Sequence, residues 1–278
     1  MSTRQWLHAQ AEELACWQGI DYKLRSKSYI EAKKEYWRRI LKKAKLSSDE
    51  LVQQTVLEVG AGPSGIFLLF GNHPSYTTID PLNDEYKKIA PHLYGLQEVV
   101  SDKFEDFSNK RNYQTVFAIN CIDHCDDIDL FIRQLARTSE VGGKVIMAVN
   151  THNKRWSQRV WSLFQKVLEP HHPYHFTSDD YQDLLKPYFE IEEVVDIEEE
   201  IIWINNKVSN QRLQDEQKKK TVLQKVKSLF SLLLEGELFG RLFILLLEKC
   251  GLPSHDFMGK GKSLYRHKMY LMSPKSSR

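Results

Sequence analysis

The side chains in this sequence best equipped for chemistry are imidazoles placed in loops beside acids. His124 stands in the segment Asn120-Cys121-Ile122-Asp123-His124, directly after an apolar run that ends at Ile119. An imidazole with an ordinary pKa of about 6.5 can accept a proton from a hydroxyl at neutral pH. The plainer role is a loop residue bonded to the backbone or lining a pocket. Asp123 could orient a histidine, bind an ammonium group or cap the following helix. His171, His172 and His175 share a second loop with Pro170, Pro173 and Tyr174. Three histidines suit a metal, but such a stretch is more often a rigid polar loop entering a helix. His175 is the best placed of them to contact or deprotonate an acceptor. Cys121 and Cys125 lack a third and fourth ligand at zinc-site spacing, so no metal is expected.

A different chemistry lies upstream. Gly60-Ala61-Gly62-Pro63-Ser64-Gly65 follows a short apolar run and fits a G-x-G-x-x-G turn. Glycines permit a tight strand-to-helix connection and close backbone approach to a nucleotide-like ligand. The turn alone suits a nicotinamide dinucleotide or S-adenosylmethionine. Glu58, two residues before Gly60, separates the two. A carboxylate there repels a pyrophosphate but accepts hydrogen bonds from an ammonium group. S-adenosylmethionine carries an ammonium group and no phosphate. Asp80, at the end of the next apolar run and followed by Pro81, is placed to bind ribose hydroxyls.

These residues need a scaffold. Runs at 55–59, 75–79, 96–100, 114–119 and 144–149 read as strands, and 189–197 and 263–272 supply a sixth and a seventh. Helical patterns cover 4–19, 28–45, 127–138 and 154–168, and another helix opens at Thr177 or Ser178 with Asp179 and Asp180 in its first turn. Pro63 suits a helix start after the first strand. The pattern predicts an α/β, doubly wound, mostly parallel seven-stranded sheet with helices on both faces. Residues 1–50 form an N-terminal helical cap, 51–200 the core, 201–262 a helical insertion before the last strand, and 263–278 that strand and tail. Within the insertion, 205–220 reads as a polar mobile run. Residues 221–249 read as an apolar helical pair that packs on the sheet edge, forms a homodimer, or meets an apolar acceptor or a membrane surface.

Composition narrows the partners. The 278 residues carry a net charge of only +2, too small by itself to argue for a nucleic-acid partner. The charge is uneven, with seven acids and no base in 190–200, and 15 Lys and Arg against 6 acids from 201 to 278. Four cysteines are too few for a disulfide framework at this length, and the first residues lack an apolar signal region, so a cytoplasmic setting is expected.

Taken together, "VLEVGAGPSG" at 56–65, "YTTIDP" at 76–81, "SDKFEDF" at 101–107, "VFAINCIDHCDD" at 116–127 and "SEVGGKVIMAV" at 139–149 resemble the class I S-adenosylmethionine-dependent methyltransferases. The resemblance implies that Glu58 holds the methionine ammonium and that Gly60, Ala61 and Gly62 let the cofactor approach. It implies that Asp80 with Pro81 meets the ribose. Phe104 and Glu105 flank the adenine, with Asp102 as a competing register. Asn120 and Asp123 pass beside the methionine part. The N/D-P-P-Y/F tetrapeptide of amine-modifying base methyltransferases is absent after the fourth strand, and so is a Pro-Cys nucleophile, which argues against DNA. A small-molecule acceptor, methylated on oxygen with His124 or His175 as base, is the expected activity, on a saccharide or lipid-linked metabolite. An NAD(P)-dependent oxidoreductase and an RNA methyltransferase are the alternatives.

Overall fold

The computed structural model describes residues 3–70, 73–108, 111–152, 158, 174, 176–215 and 265–275. Three helices come first: α1 (Thr3–Gly19), the short α2 (Asp21–Leu24) and α3 (Lys27–Lys43), followed by one turn, α4 (Ser48–Leu51). Strands β1 (Val56–Val59), β2 (Tyr76–Ile79), β3 (Glu98–Val100), β4 (Tyr113–Ile119) and β5 (Ser139–His152) alternate with α5 (Asn83–Ile89) and α6 (Ile128–Thr138). Then come α7 (Ser178–Leu185), β6 (Phe189–Asp196), α8 (Glu198–Asp215) and β7 (Tyr265–Pro274).

The strands form one seven-stranded sheet in the order β3-β2-β1-β4-β5-β7-β6. The first five run parallel, while β7 is antiparallel to both β5 and β6, so the sheet is mixed. That reversal has a consequence for the site. The start of β7 lies beside the end of β5, with His267 opposite Asn150. The carboxyl ends of parallel strands are where α/β folds bind ligands, and β7 delivers its first residues to that edge.

Both faces of the central strands are covered. All four residues of β1 and of β2 are buried, as expected for strands packed on two sides. One apolar cluster joins α3 and α8 to the face carrying Val56, Phe117 and Ile146. The other joins α6 and α7 to the face carrying Leu57, Val116 and Val145.

Local signals explain most boundaries. Ser26 caps α3, accepting from Tyr29 N–H, and Ser47 with Glu50 forms a capping box on α4. Thr177 caps α7 with Asp180 in the reciprocal role. The cap of α6 is Asp127, which accepts from Leu130 N–H at 2.9 Å, so that role does not fall to Asp123.

Three expectations are corrected. The segment after β1 is not an α-helix but two 3₁₀ turns, 62–64 and 66–69, because the Glu58 carboxylate takes the Ile66 and Phe67 N–H groups. Strand β5 extends back to Ser139, with Gly142 at positive φ and a register shift opposite Tyr113 and Thr115. Residues 205–215 of the expected polar run are helical and carry α8 to its end, while 216–220 lie outside the described residues. Glu198, Glu199 and Glu200 suit the positive end of that helix. Ile201, Trp203 and Val208 pack against the cluster that includes α3, and the Arg39 guanidinium lies 4.4 Å from the Trp203 ring centre. The expected helix at 154–168 and the apolar pair at 221–249 lie outside the described residues, apart from residue 158. Among the described residues, no helix is long and apolar enough to cross a membrane.

Candidate active site

A cavity of about 460 Å³ opens above the ends of β1, β2 and β4, within the range of about 300–1,000 Å³ usual for ligand sites. Its floor is the glycine turn. Gly60 and Gly62 have φ of +65° and +55°, the left-handed region that favours glycine. A Cβ on Gly60 would lie 2.3 Å from Cys121 Cβ, so the close approach there is between the tips of β1 and β4. A Cβ on Gly62 would meet nothing within 4 Å.

Glu58 holds the turn from below. Its Oε1 accepts Ile66 N–H at 2.6 Å, and its Oε2 accepts Phe67 N–H at 3.1 Å and the Tyr76 hydroxyl at 2.9 Å. Gly65 is the residue that makes room, since a Cβ there would fall 2.4 Å from Glu58 Oε1. Three of the four lone-pair positions on the carboxylate are thereby used. Burial pushes its pKa up to about 7, against the downward pull of these hydrogen bonds. Glu58 thus fixes the turn while also lining the cavity, with one lone-pair position left over.

Asp80 is built differently. Oδ2 accepts Gly62 N–H at 3.1 Å and Oδ1 accepts Leu82 N–H at 2.9 Å. Each oxygen keeps one acceptor position, which matches a pair of vicinal hydroxyls. Burial raises its pKa to about 6, with the backbone hydrogen bonds opposing. Pro81 and the buried Phe104 line the cavity beyond it, and so does Glu105, which also accepts Asp126 N–H at 2.7 Å. Asp102 does not line the cavity; its side chain turns back to Lys103 N–H at 2.8 Å. Lys103 does line it, pairing with Asp126 at 3.1 Å, and its Nζ stands 3.9 Å from the ring centre of Trp6 on α1.

At the β4 end, Asn120 lines the cavity with φ of +52°, a conformation asparagine tolerates. His124 lines it too, in the turn 122–124, its backbone N–H donating to Cys121 O. Asp123 is buried and does not line the cavity. His175 lies outside the described residues. Among those described, no group of three or more His, Cys, Asp or Glu has a metal-holding arrangement.

His267 and Lys33 also line the cavity, and neither is among the expected site residues. His267, from the start of β7, lines the cavity, and its Nδ1 is 2.9 Å from Glu198 Oε2. The same oxygen accepts the His267 backbone N–H at 3.1 Å. This bonding holds Glu198 below the usual carboxylate range, with burial opposing. An ionised carboxylate only accepts, so His267 Nδ1 donates in this contact. No sequence pattern announces a partnership between residues so far apart in the chain.

The other is Lys33 on α3. This helix buries Tyr29, Ala32, Tyr36, Trp37, Ile40 and Leu41. Lys33 sits within that stripe, four residues after Tyr29 and four before Trp37, and a lysine interrupting an apolar stripe was a legible signal. Trp37 Nε1 donates to Ser64 O at 2.9 Å, tying the helix to the glycine turn. Lys33 lines the cavity, its Nζ 5.4 Å from the ring centres of both Tyr36 and Trp37.

Comparison with known proteins agrees with this geometry. Residues 29–188, more than half of the chain, match a family model described as a methyltransferase domain. Among solved structures, the fold is similar to one described as a sarcosine dimethylglycine methyltransferase from Galdieria sulphuraria, with 12% identity over 88% of this chain and 86% of that one, at a TM-score of 0.57. It is also similar to the StiE O-MT, with 13% identity over 87% of this chain and 74% of that one, at a TM-score of 0.50. Phosphoethanolamine N-methyltransferase 2 of Haemonchus contortus, in complex with S-adenosyl-L-methionine, matches at 13% identity over 80% of this chain and 48% of that one, at a TM-score of 0.51. At these identities the likeness is one of fold.

Proposed function

The chain belongs to the methyltransferase-domain family and is an S-adenosylmethionine-dependent methyltransferase, and on that premise we propose that it methylates a hydroxyl of a small-molecule acceptor. Family membership sets aside the nicotinamide-dependent oxidoreductase. The cavity's residues fit the cofactor: two acceptor positions on Asp80 suit the ribose diol, Glu58 suits an ammonium, and Phe104 with Glu105 suits an adenine. Gly60, Ala61, Gly62, Pro81 and Asn120 would shape the remaining contact surface, with Asp123 supporting the β4 turn from behind.

Bound there, S-adenosylmethionine supplies a methyl group on a cationic sulfur, which needs no further activation as an electrophile. The protein's tasks are to align the acceptor oxygen and to take its proton. The observation that carries the oxygen reading is the imidazole of His267 at the cavity, held at Nδ1 by Glu198 at 2.9 Å; a ring that donates there would have Nε2 to take the acceptor's proton. His124 faces the same cavity and is the second candidate base; His175 is a third, retained from the sequence. A transfer to an amine needs no such oriented base when the amine arrives unprotonated. Trp17, Tyr36 and Trp37 in the wall, beside polar Asn205, suit an acceptor with both apolar and hydroxylated faces, such as a saccharide or lipid-linked metabolite. A cytoplasmic setting, and dimer or membrane contact through 221–249, remain part of this proposal.

The test is transfer of a labelled methyl group from S-adenosylmethionine to panels of hydroxyl acceptors, amine acceptors and RNA. Label on hydroxyl compounds, abolished in His267→Ala or His124→Ala while S-adenosylhomocysteine still binds, is the expected result. Label on amines or RNA alone would overturn the oxygen reading.

A further inference from the structure

Lys33 faces the cavity, and among the described residues it has no anion of its own. Among the described residues, its ammonium has two aromatic rings nearby and no carboxylate within ion-pair distance, whereas its neighbour Lys34 pairs with Glu31 at 3.2 Å. Burial lowers the Lys33 pKa to about 8, and the charge that most opposes this is Glu58. Glu58 is itself held by Ile66, Phe67 and Tyr76 rather than by Lys33. A half-buried ammonium beside two rings, with no counter-ion among the described residues, is costly, and a ligand anion relieves that cost.

The position of Lys33 says which anion. The cavity runs from Phe104, past Asp80 at the end of β2, to Glu58 and Gly60 at the end of β1. A nucleoside with its ribose on Asp80 and its base by Phe104 therefore directs its amino-acid tail over β1. That tail is a zwitterion. We propose that Lys33 binds the α-carboxylate of the cofactor's methionine tail while Glu58 faces its ammonium, an inference that rests on reading this cavity as the S-adenosylmethionine site. The two charges on the wall are then complementary to the two on the ligand, and the Lys33 ammonium gains the anion it lacks among the described residues. The tail is thus anchored by the N-terminal cap as well as by the sheet.

A carboxylate on the acceptor is the other source of the same chemistry, and the ligands in the test separate the two. Calorimetry on the full chain and on Lys33→Met would use S-adenosylhomocysteine and its decarboxylated analogue, the 3-aminopropyl thioether of 5′-deoxyadenosine. Lys33→Met is expected to weaken S-adenosylhomocysteine by about 10- to 100-fold, the loss of one charge-assisted hydrogen bond. It should leave the analogue within about 2-fold, since the analogue offers Lys33 nothing to bind. Lys33→Arg should restore most of the affinity, and Lys33→Gln repeats the comparison should the methionine variant not fold. Unchanged affinity for S-adenosylhomocysteine would overturn the proposal and leave Lys33 to an acidic acceptor. Equal losses for both ligands would overturn it too, by making Lys33 a support of the pocket wall. Failure of the unmutated protein to bind S-adenosylhomocysteine would instead overturn the cofactor reading of the cavity.

Discussion

One oxygen of Glu198 accepts both the backbone N–H and the Nδ1–H of His267, at 3.1 and 2.9 Å. The first turn of α8 and the first residues of β7 are clamped together at the cavity's rim. Glu198→Gln is expected to lower unfolding free energy by about 1.5–3 kcal/mol, the worth of hydrogen bonds to a charged group. Because the folded protein depresses this carboxyl below 4.5, its contribution is present above that value and disappears as pH falls through the folded pKa. Urea unfolding between pH 3 and 7 should show a shallower acid loss in the variant. Parallel curves would argue that the clamp carries no charge.

Gly65 and Gly62 separate two reasons for a glycine. Gly65 has an ordinary φ of −72°, so Gly65→Ala fails only by contact, its Cβ falling 2.4 Å from Glu58 Oε1 and 2.8 Å from Ala61 O. A destabilisation of about 1–3 kcal/mol is expected, with a loss of S-adenosylhomocysteine affinity beyond 10-fold as Glu58 shifts. Gly62→Ala meets no atom but must hold φ near +55°, at about 1–2 kcal/mol. A Gly65→Ala protein that melts and binds like the original would contradict the described packing of the turn.

Acid titration should oppose stability and binding. Burial raises Glu58 from 4.5 to about 7 and Asp80 from 3.8 to about 6. Between those limits the folded protein binds more protons than the unfolded chain, so ligand-free stability falls as pH rises towards about 7 and then levels. S-adenosylhomocysteine is proposed to select the ionised forms, so its affinity should rise over the same interval. Thermal melts and calorimetry from pH 5 to 8 measure both. An affinity that falls from pH 5 to 7 would be incompatible with carboxylates that face an ammonium and a diol.

Trp37→Phe tests the tie between cap and turn. It removes the 2.9 Å bond to Ser64 O while keeping most of the ring packing. A stability loss of about 1 kcal/mol is expected, together with faster amide hydrogen exchange in 62–67 than in the distant strand β6. Equal exchange in both segments would show that the turn holds itself.

The sheet was legible because buried parallel strands are short apolar runs, and β1, β2 and β4 fell within one residue of their expected limits. Asp80 and His124 were legible because strand ends place residues at the ligand edge. The 3₁₀ turns after β1 were not, since they depend on a side chain eight residues back competing for backbone N–H groups. Nor was α8, whose low polarity contrast hides a face that packs on α3. His267 escaped notice because strand alternation gives no reason to pair it with Glu198, whereas Lys33 stood in plain view within the stripe of α3.

Cys121 lies against Gly60, and its thiol lines the same cavity as Glu58 and His124. Burial keeps that thiol well above its ordinary pKa, so alkylation there is slow and needs a reagent to enter through the ligand's own door. Exposed Cys16 is an internal clock for reagent strength. The ratio of labelling at the two positions, read peptide by peptide in a mass spectrometer, would count filled sites directly, before any acceptor has been identified.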